Sequence, residues 1–421
     1  MMIELKKGVR LHVIATKKYK TIQIYGRFTT RLTKEIMTKR ALLANMLETN
    51  SLRYPDQTKL SGQLAELYGA SFGLNVGRKG NLHWLDVGLG VVNGKYVNDP
   101  QLFPAAMDFL QEVLFYPNIH DGKFDEQTFQ LEKENLQSYI ETLHEDKQTM
   151  ASLKIKETYF TDEAQKLPSF GTVDDLADET SEALAAYYQE MITQDQVDLF
   201  VIGDVDETEM AEVFKQLPFA DREESVPAIY YYQTNDNVIR EQQVQEAVTQ
   251  GKLNLAYATD VYYEDVDRFA LLVFNGLFGG FPHSKLFMNV REKASLAYYA
   301  SSSFDTFRGY LQVQTGINSN NREKVLHLIN EQLLELQAGN FTELAFQQTK
   351  AMLKNHYLLG LDSMQNTIET TYLAQWLPKS KLTDEEWLRR LEAVTTKDVQ
   401  KVAKKIRLQA IFFLDGGQQN G

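Results

Sequence analysis

The chain has 421 residues, of which 43% are hydrophobic and 24% are charged, so we expect two domains of about 200 residues each rather than a single core. The net charge is −13. This excess of negative charge disfavours nucleic acid as a partner, because such binding depends on neutralising phosphates. The chain contains no cysteine, which excludes disulfides and thiolate metal sites.

The N-terminal segment, residues 1–20, alternates charged and apolar side chains and lacks the apolar core of a signal peptide. No stretch of the sequence approaches the ~20 consecutive apolar residues that a membrane span requires. Together with the absence of cysteine, these features predict a soluble cytoplasmic protein with no membrane association.

Strand-like and helix-like patterns are interspersed along the chain. Residues 21–25 and 253–257 alternate in a period of two, which is typical of half-buried strands. Apolar side chains at helical spacing predict amphipathic helices over residues 103–114 and 325–336. This mixture indicates an α+β fold in which sheets pack against helices.

An internal repeat relates the two halves of the chain. The paired landmarks are residues 58–60 with 284–286, residues 83–90 with 309–316, and a helix-to-strand segment at 181–202 with 396–414. The first two pairs share one offset, since 284 − 58 and 309 − 83 both equal 226. Three landmarks of the same type in the same order predict two homologous domains.

The boundary between the domains is predicted where this periodicity is lost. Residues 217–227 carry two prolines and a cluster of charges, which is typical of a linker. We therefore predict a first domain over residues 1–216, a linker over 217–232 and a second domain over 233–421. Each domain is expected to be a mostly antiparallel sheet packed with helices.

A resemblance to a known family rests mainly on the second half. Residues 279–298 read GGFPHSKLFMNVREKASLAY, which resembles a signature of insulinase/pitrilysin-type peptidases, a superfamily that includes the mitochondrial processing peptidase. Residues 170–172 and 201–206 resemble later parts of that family's first domain. The resemblance covers almost the whole chain and is greatest to bacterial two-protein members. It implies a duplicated peptidase-like fold that forms one half of a clam-shell.

The family binds zinc through an inverted His-x-x-Glu-His helix and a glutamate from a later helix. The two imidazoles share one helical face, and the first glutamate is the general base. The resemblance places Ala41 and Asn45 at the histidine positions, Ala44 at the base and Tyr139 at the later glutamate. The seven histidines include no pair at metal-ligand spacing. We predict no zinc and no catalytic residue in this chain, and we interpret Asn45 as a relic.

The resemblance assigns substrate contact to Arg291 and Tyr298, which in the family face the zinc from the second domain. An arginine fork can hold a carbonyl, and a tyrosine hydroxyl can donate to a developing oxyanion. Both residues also have a structural interpretation. Arg291 could be a surface residue beside Glu292, and Tyr298 a strand residue that packs like Tyr299.

Two other features are interpreted as structural. Gly279 and Gly280 are predicted to form a turn, because paired glycines are common in turns. Glu132, Glu134 and Glu141 are predicted to lie on a solvated helix face, because their charges alternate with that of Lys133.

The resemblance implies a non-catalytic, substrate-contacting subunit of a heterodimeric zinc peptidase acting on peptides. A homologous partner subunit would supply zinc, its ligands and the general base, and activity is expected only with that partner. In isolation the chain could form a homodimer. One alternative is an inert peptide-binding or scaffold protein of the same fold. A weaker alternative is an independent peptidase with an unrecognised site.

Overall fold

The structure is a computed structural model that describes residues 1–223 and 227–416. The strands are β1 Met2–Lys6, β2 Val9–Ala15, β3 Thr21–Arg31, β4 Ser71–Lys79, β5 Leu82–Val92, β6 Ile119–His120, β7 Lys123–Phe124, β8 Gln196–Gly203, β9 Arg240–Gln245, β10 Gly251–Ala258, β11 Ala297–Asp305, β12 Tyr310–Ile317 and β13 Arg407–Asp415. The alternating segments 21–25 and 253–257 lie in β3 and β10, which confirms them as strands.

Helices account for most of the remaining chain. The α-helices are α1 Lys34–Thr49, α2 Gln57–Glu66, α3 Leu102–Phe115, α4 Glu126–Glu145, α5 Lys147–Tyr159, α6 Glu163–Lys166, α7 Val173–Ala177, α8 Ser181–Gln194, α9 Glu207–Phe214, α10 Arg268–Asn275, α11 Arg322–Ala338, α12 Glu343–Gly360, α13 Met364–Trp376, α14 Asp384–Glu392 and α15 Thr396–Ala403. Two segments are π-helical, Gly276–Gly280 and Leu286–Lys293. The predicted helices over 103–114 and 325–336 correspond to α3 and α11. Within the described ranges, no helix is both long and apolar enough to cross a bilayer.

The chain divides into two compact units. The first comprises Met1–Thr142 and Pro168–Ala228, and the second comprises Leu143–Leu167 and the chain from Ile229 onward. The segment 143–167, which the sequence had suggested belongs to the first domain, therefore lies in the second unit. The reason is the apolar face of α5, which packs against β10 and β13.

The change between units falls after Ala228, inside the segment 217–232 that was predicted as a linker. Part of that segment belongs to a core, because Leu217 and Phe219 are buried with the apolar side chains of the first unit. Residues 224–226 lie outside the described residues. The domain boundaries stated from the sequence stay a prediction.

The two main sheets have the same strand order, which confirms the duplicated α+β fold. The first sheet is ordered β1-β2-β8-β3-β5-β4 and the second β9-β13-β10-β12-β11, so that β1 is the one addition in the first. Each sheet contains one parallel pair, β2 with β8 and β9 with β13, and its other pairs are antiparallel.

The repeated segments 83–90 and 309–316 correspond to strands β5 and β12, which hold equivalent places in the two sheets. Val87 of β5 pairs with Gly26 of β3, and Val313 of β12 pairs with Leu255 of β10. Their positions differ by 226 residues in β5 and β12 but by 229 residues in β3 and β10, since 255 − 26 equals 229, so the shared offset of 226 holds for β5 and β12 alone among these strands. Strands β4 and β11 are therefore equivalent, and each lies at the edge of its sheet.

Candidate functional site

Helix α1 carries three of the four positions that the resemblance assigns to a zinc site. Ala41 and Ala44 are buried, and Asn45 is half-buried. Residues at spacings of three and four share one face of a helix, so these side chains point in a similar direction. That face carries two methyl groups and one amide.

A buried arginine next to this face anchors α1. The guanidinium of Arg40 donates to Asp195 Oδ2 at 2.6 Å, to the carbonyl oxygen of Phe28 at 2.6 Å and to the hydroxyl of Tyr187 at 3.1 Å. These partners belong to β3, to α8 and to the residue between α8 and β8. The ion pair is fully desolvated, and removing one partner of such a pair costs about 3–5 kcal/mol. The helix is therefore fixed on its sheet by protein groups alone.

The fourth position, Tyr139, lies on α4 and forms an aromatic pair with Phe170. The ring centroids are 5.5 Å apart and the planes are inclined by 75°, which is a T-shaped arrangement. The Tyr139 side chain is 53% exposed. Tyr139 therefore presents an aromatic wall rather than a carboxylate.

The loop that carries Phe170 is held rigidly. The Nε2–H of buried His83 donates to the carbonyl oxygen of Ser169 at 2.7 Å. Gly171 has a φ of 77°, and a Cβ at this position would lie 1.7 Å from Thr38 Oγ1. Both the left-handed backbone and the close approach to α1 require glycine here.

The imidazole of His83 is neutral at physiological pH. Burial, reinforced by the positive charge of Arg40, lowers the pKa of His83 to about 3. Its Nδ1 atom has no hydrogen-bond partner among the described residues. Since Nε2 keeps its proton, His83 acts as a donor that positions the Phe170 loop.

These four positions line one cleft of the first unit, although Tyr139 is almost a hundred residues from α1. The cleft has a volume of about 380 Å³. Its lining residues are Ala41, Ala44, Asn45, Leu74, Asn75, Val76, Leu136, Tyr139 and Phe170. Edge strand β4 forms one side of the cleft.

The cleft does not fit a zinc ion. Zinc in proteins is bound by cysteine, histidine, aspartate or glutamate, and none of the nine lining residues is of these types. Across residues 1–223 and 227–416, no group of three or more such side chains is placed to hold a metal. The cleft is lined by methyl groups, amides, aliphatic side chains and aromatic rings.

One carboxylate near the cleft differs from the sequence interpretation. Glu132 is buried, and it accepts hydrogen bonds from Thr49 Oγ1 at 2.7 Å and from Asn135 Nδ2 at 3.2 Å. The solvated-face prediction is therefore wrong for Glu132, whereas Glu134 and Glu141 are exposed. Because Glu132 lies seven residues before Tyr139, it occupies the same side of α4 and ties α4 to α1.

Arg291 lies on the second π-helical segment of the second unit. Its guanidinium carbon is 4.5 Å from the centre of the Phe287 ring, and its Nε is 3.4 Å from Glu292 Oε1. The side chain remains 41% exposed. The guanidinium thus rests on a ring while part of its donor surface faces solvent.

Tyr298 is the extra residue of a β-bulge in edge strand β11. Ala297 pairs with Ile317 and Tyr299 pairs with Gly316, so Tyr298 has no partner of its own in β12. Its side chain is 64% exposed, and its hydroxyl has no hydrogen bond to any described residue. Bulges redirect side chains, and Tyr298 consequently does not pack like Tyr299, whose ring covers Gly316.

The paired glycines preceding this region do not form the predicted turn. Gly279 and Gly280 lie in the first π-helical segment, which continues α10. A Cβ at Gly279 would lie 2.6 Å from the backbone nitrogen of Ser302 in β11. Gly279 is needed because the helical segment and the edge strand approach closely.

Some cleft residues were not predicted from the sequence. Leu74, Asn75 and Val76 were given no role, and Phe170 was noted only as part of a family-like segment. The two-residue alternation of Leu74 and Val76 was a usable signal, since it places both side chains on one face of a strand.

Comparison with known proteins supports these observations. A family model described as "Peptidase M16 inactive domain" matches residues 178–353. The chain is 36% identical over 411 residues to the "probable inactive metalloprotease YmfF" of Bacillus subtilis (strain 168), covering 97% of this chain and 96% of YmfF.

A zinc protease and a solved structure are also similar. The "uncharacterized zinc protease YmxG" of Bacillus subtilis (strain 168) is 22% identical over 305 residues, or 72% of each chain. The crystal structure of a conserved protein from Enterococcus faecalis V583 has a TM-score of 0.97 at 56% identity, covering 100% of this chain and 99% of that one. The chain therefore belongs to the peptidase M16 family of metalloproteases, with the members described as inactive.

Proposed function

We propose that this chain is the non-catalytic, substrate-contacting subunit of a heterodimeric zinc peptidase that acts on peptides. In this proposal a homologous, zinc-bearing partner supplies the metal, its ligands and the general base. Arg291 and Tyr298 of this chain contact the substrate beside the scissile bond. The two chains together form the clam-shell.

The exposed hydroxyl of Tyr298 is the observation that carries the proposal. It projects from a bulge on an edge strand and is not engaged by any described residue. A tyrosine O–H can donate to the oxygen on which negative charge develops during peptide hydrolysis. A tyrosine kept only for packing would not need an exposed, unengaged hydroxyl.

Edge strand β11 offers a means of holding the peptide. One side of its backbone pairs with β12, and no other described strand pairs with its second side. An extended peptide can add to such an edge through main-chain hydrogen bonds. Arg291 lies on the segment that packs against β11, where its guanidinium could hold a peptide carbonyl.

The composition of the first-unit cleft supports the part of the proposal that assigns zinc to a partner. Its residues cannot supply a metal-activated water, because the ligands and the general base are replaced by Ala41, Ala44, Asn45 and Tyr139. The similar protein YmxG is described as a zinc protease. A homologue of that kind is the partner that the proposal requires.

A second candidate function is an inert peptide-binding or scaffold protein of the same fold. The open edge of β11 favours it, because main-chain pairing with a peptide needs neither Arg291 nor the hydroxyl of Tyr298. The two candidates differ in whether these side chains affect peptide turnover.

The test is peptide cleavage by an equimolar mixture of this chain and its zinc-bearing homologue. For Tyr298→Phe we expect kcat to fall about 100-fold, which is the typical effect of losing one oxyanion donor. For Arg291→Ala we expect kcat/KM to fall about tenfold, since a charged hydrogen bond to substrate is lost. The matched control is Tyr232→Phe, because Tyr232 is 65% exposed in the same unit.

Complex formation, followed by size-exclusion chromatography, should be the same for all three variants. If Tyr298→Phe and Arg291→Ala leave turnover at the level of Tyr232→Phe, the substrate-contacting role is wrong. The scaffold function would then be favoured.

A further inference from the structure

We propose that the cleft in the first unit is a pocket for one uncharged aromatic side chain of an extended peptide. The inference rests on the proposed function only in taking a peptide as the ligand. It requires neither catalysis nor a partner subunit. The positions that bind zinc in the family would therefore have acquired a different binding chemistry.

The charge of the cleft selects against ionised side chains. All nine lining residues are uncharged. Two neighbouring carboxylates are already bonded, Glu132 to Thr49 and Asn135 and Glu48 to the backbone N–H of Leu74. A lysine, arginine, aspartate or glutamate side chain would lose its hydration here without gaining a partner, which is unfavourable. An uncharged side chain avoids this cost.

The shape and surface of the cleft favour an aromatic ring. Ala41 and Ala44 contribute small buried methyl groups, and the T-shaped pair of Tyr139 and Phe170 forms an aromatic wall. A third ring can join such a pair in an edge-to-face or offset arrangement. The volume of about 380 Å³ is near the lower end of the range of ligand pockets, about 300–1,000 Å³. It accommodates one large side chain.

Asn45 supplies the polar contact that such a pocket needs. Its amide is half-buried and has no hydrogen-bond partner in the described part of the chain. An amide both donates and accepts, and one polar group in an otherwise apolar pocket orients the ligand. The hydroxyl of a bound tyrosine would match it. In this proposal Asn45 is a binding residue rather than a relic.

The edge of β4 explains why the ligand is an extended peptide. The backbone N–H of Leu74 donates to Glu48 Oε2 at 3.0 Å, so it points away from β5. Backbone groups two residues apart in a strand point to the same side, so those of Val76 also face away from β5. Glu48 thus occupies the hydrogen-bonding position at Leu74 on this edge. The backbone groups of Val76 form the next position, where a peptide main chain can pair.

The test is binding of fluorescein-labelled pentapeptides, Thr-Val-Xaa-Val-Thr, to the isolated full-length chain in buffer with EDTA. Fluorescence anisotropy should show Kd values about tenfold lower for phenylalanine or tyrosine at the central position than for alanine or lysine. Equal Kd values for the four peptides would overturn the inference. In a second titration without EDTA, zinc that binds stoichiometrically and displaces the peptide would also overturn it, because the cleft would then be a metal site.

Two variants locate the binding site. Tyr139→Ala removes half of the wall, and we expect it to abolish the preference for phenylalanine over alanine. Because Asn45 can bond the hydroxyl of a bound tyrosine, we expect the wild type to bind the tyrosine peptide more tightly than the phenylalanine peptide, and Asn45→Leu should abolish that difference. The control is Tyr96→Ala, since Tyr96 is 49% exposed in the same unit and does not line the cleft. Circular dichroism verifies folding, and an unchanged preference in folded Tyr139→Ala contradicts the proposal.

The outcomes separate this inference from the proposed function. Selective peptide binding with turnover insensitive to Tyr298→Phe would refute only the proposed function. Turnover sensitive to Tyr298→Phe without selective binding by the isolated chain would refute only the pocket.

Discussion

The edge strands β4 and β11 occupy equivalent positions in two sheets of the same topology, yet their surroundings differ in chemistry. Beside β4, the rings of Tyr139 and Phe170 form a T-shaped pair in a cleft that has no charged lining residues. In β11, a bulge exposes the hydroxyl of Tyr298, and Arg291 lies on an adjoining segment. Two copies of one fold thus place an uncharged cleft beside one edge strand and exposed polar side chains beside the equivalent one.

The first unit keeps its fold without metal ligands because other groups hold the helix in place. Arg40 ties α1 to Asp195 and to β3, and Glu132 ties α4 to Thr49. None of these contacts involves the side chains of Ala41, Ala44, Asn45 or Tyr139. The cleft can therefore change its lining residues while its walls stay in position.

Placing the family's zinc-site residues in the cleft beside β4 should give that cleft a metal-binding chemistry. We expect the variant Ala41→His, Ala44→Glu, Asn45→His and Tyr139→Glu to bind one zinc ion per chain. The Kd should be below about 1 μM, or about 8 kcal/mol of binding free energy, because the four positions surround one cleft. Metal analysis after dialysis measures the stoichiometry.

The control for this variant omits the change at Asn45 and so lacks one imidazole. It should bind zinc at least tenfold more weakly. A folded fourfold variant that binds no zinc would show that these positions do not form the family's metal site.

Gly171→Ala should destabilise the first unit, which contains the cleft, and leave the stability of the second unit, which contains β11, unchanged. A left-handed backbone costs about 1–2 kcal/mol for a residue with a Cβ, and the clash with Thr38 adds about 1–3 kcal/mol. We expect the free energy of unfolding of the first unit to fall by about 3 kcal/mol. The control Gly122→Ala has a φ of 78° and open space around its Cβ, so it should lose only about 1 kcal/mol.

Trp84 makes this measurement specific to the first unit. The sequence has three tryptophans, and the other two, Trp376 and Trp387, lie in the second unit. In a background where both are phenylalanine, urea unfolding followed by tryptophan fluorescence reports the first unit. If Gly171→Ala and Gly122→Ala lower the free energy of unfolding equally, the close approach of residue 171 to Thr38 adds nothing to the cost of a Cβ.

The stability of the first unit should depend on pH, because His83 is buried there. Its folded-state pKa is about 3, whereas an unfolded histidine titrates near about 6.5. Between these values the unfolded chain binds a proton that the folded chain does not. The free energy of unfolding should therefore fall as the pH falls below 6.5, by up to about 1.4 kcal/mol per pH unit.

His83→Gln keeps an N–H donor for the Ser169 carbonyl but does not titrate. We expect the unfolding free energy of this variant, measured through Trp84 fluorescence between pH 4 and pH 7, to depend less steeply on pH than that of the wild type. The difference in slope should be up to about 1.4 kcal/mol per pH unit. Parallel slopes for the two proteins would show that His83 takes up its proton equally in the folded and unfolded states.

Local patterns predicted much of the fold. Alternation in 21–25 and helical spacing in 103–114 identified β3 and α3, and the 226-residue offset identified the duplication. The location of α5 could not be predicted, because a helix next in sequence to one unit can bury its apolar face against the other. Only the tertiary structure determines which sheet covers Met150 and Ile155.

The candidate site was less predictable. The resemblance named Ala41, Ala44, Asn45 and Tyr139, but not the strand or the ring that closes the cleft. Neither the bulge at Tyr298 nor the π-helical segments have a sequence signal of their own, since both arise from how neighbouring elements pair.

The central proposal is that this chain contacts the substrate while a homologous partner binds zinc. Its most direct test is peptide turnover by each chain alone and by their equimolar mixture, with zinc measured in each sample. We predict that this chain alone is zinc-free and inactive, and that the mixture contains one zinc per heterodimer and cleaves peptides far faster than the partner alone. A mixture no faster than the partner alone, or cleavage by this chain with stoichiometric zinc, would contradict it.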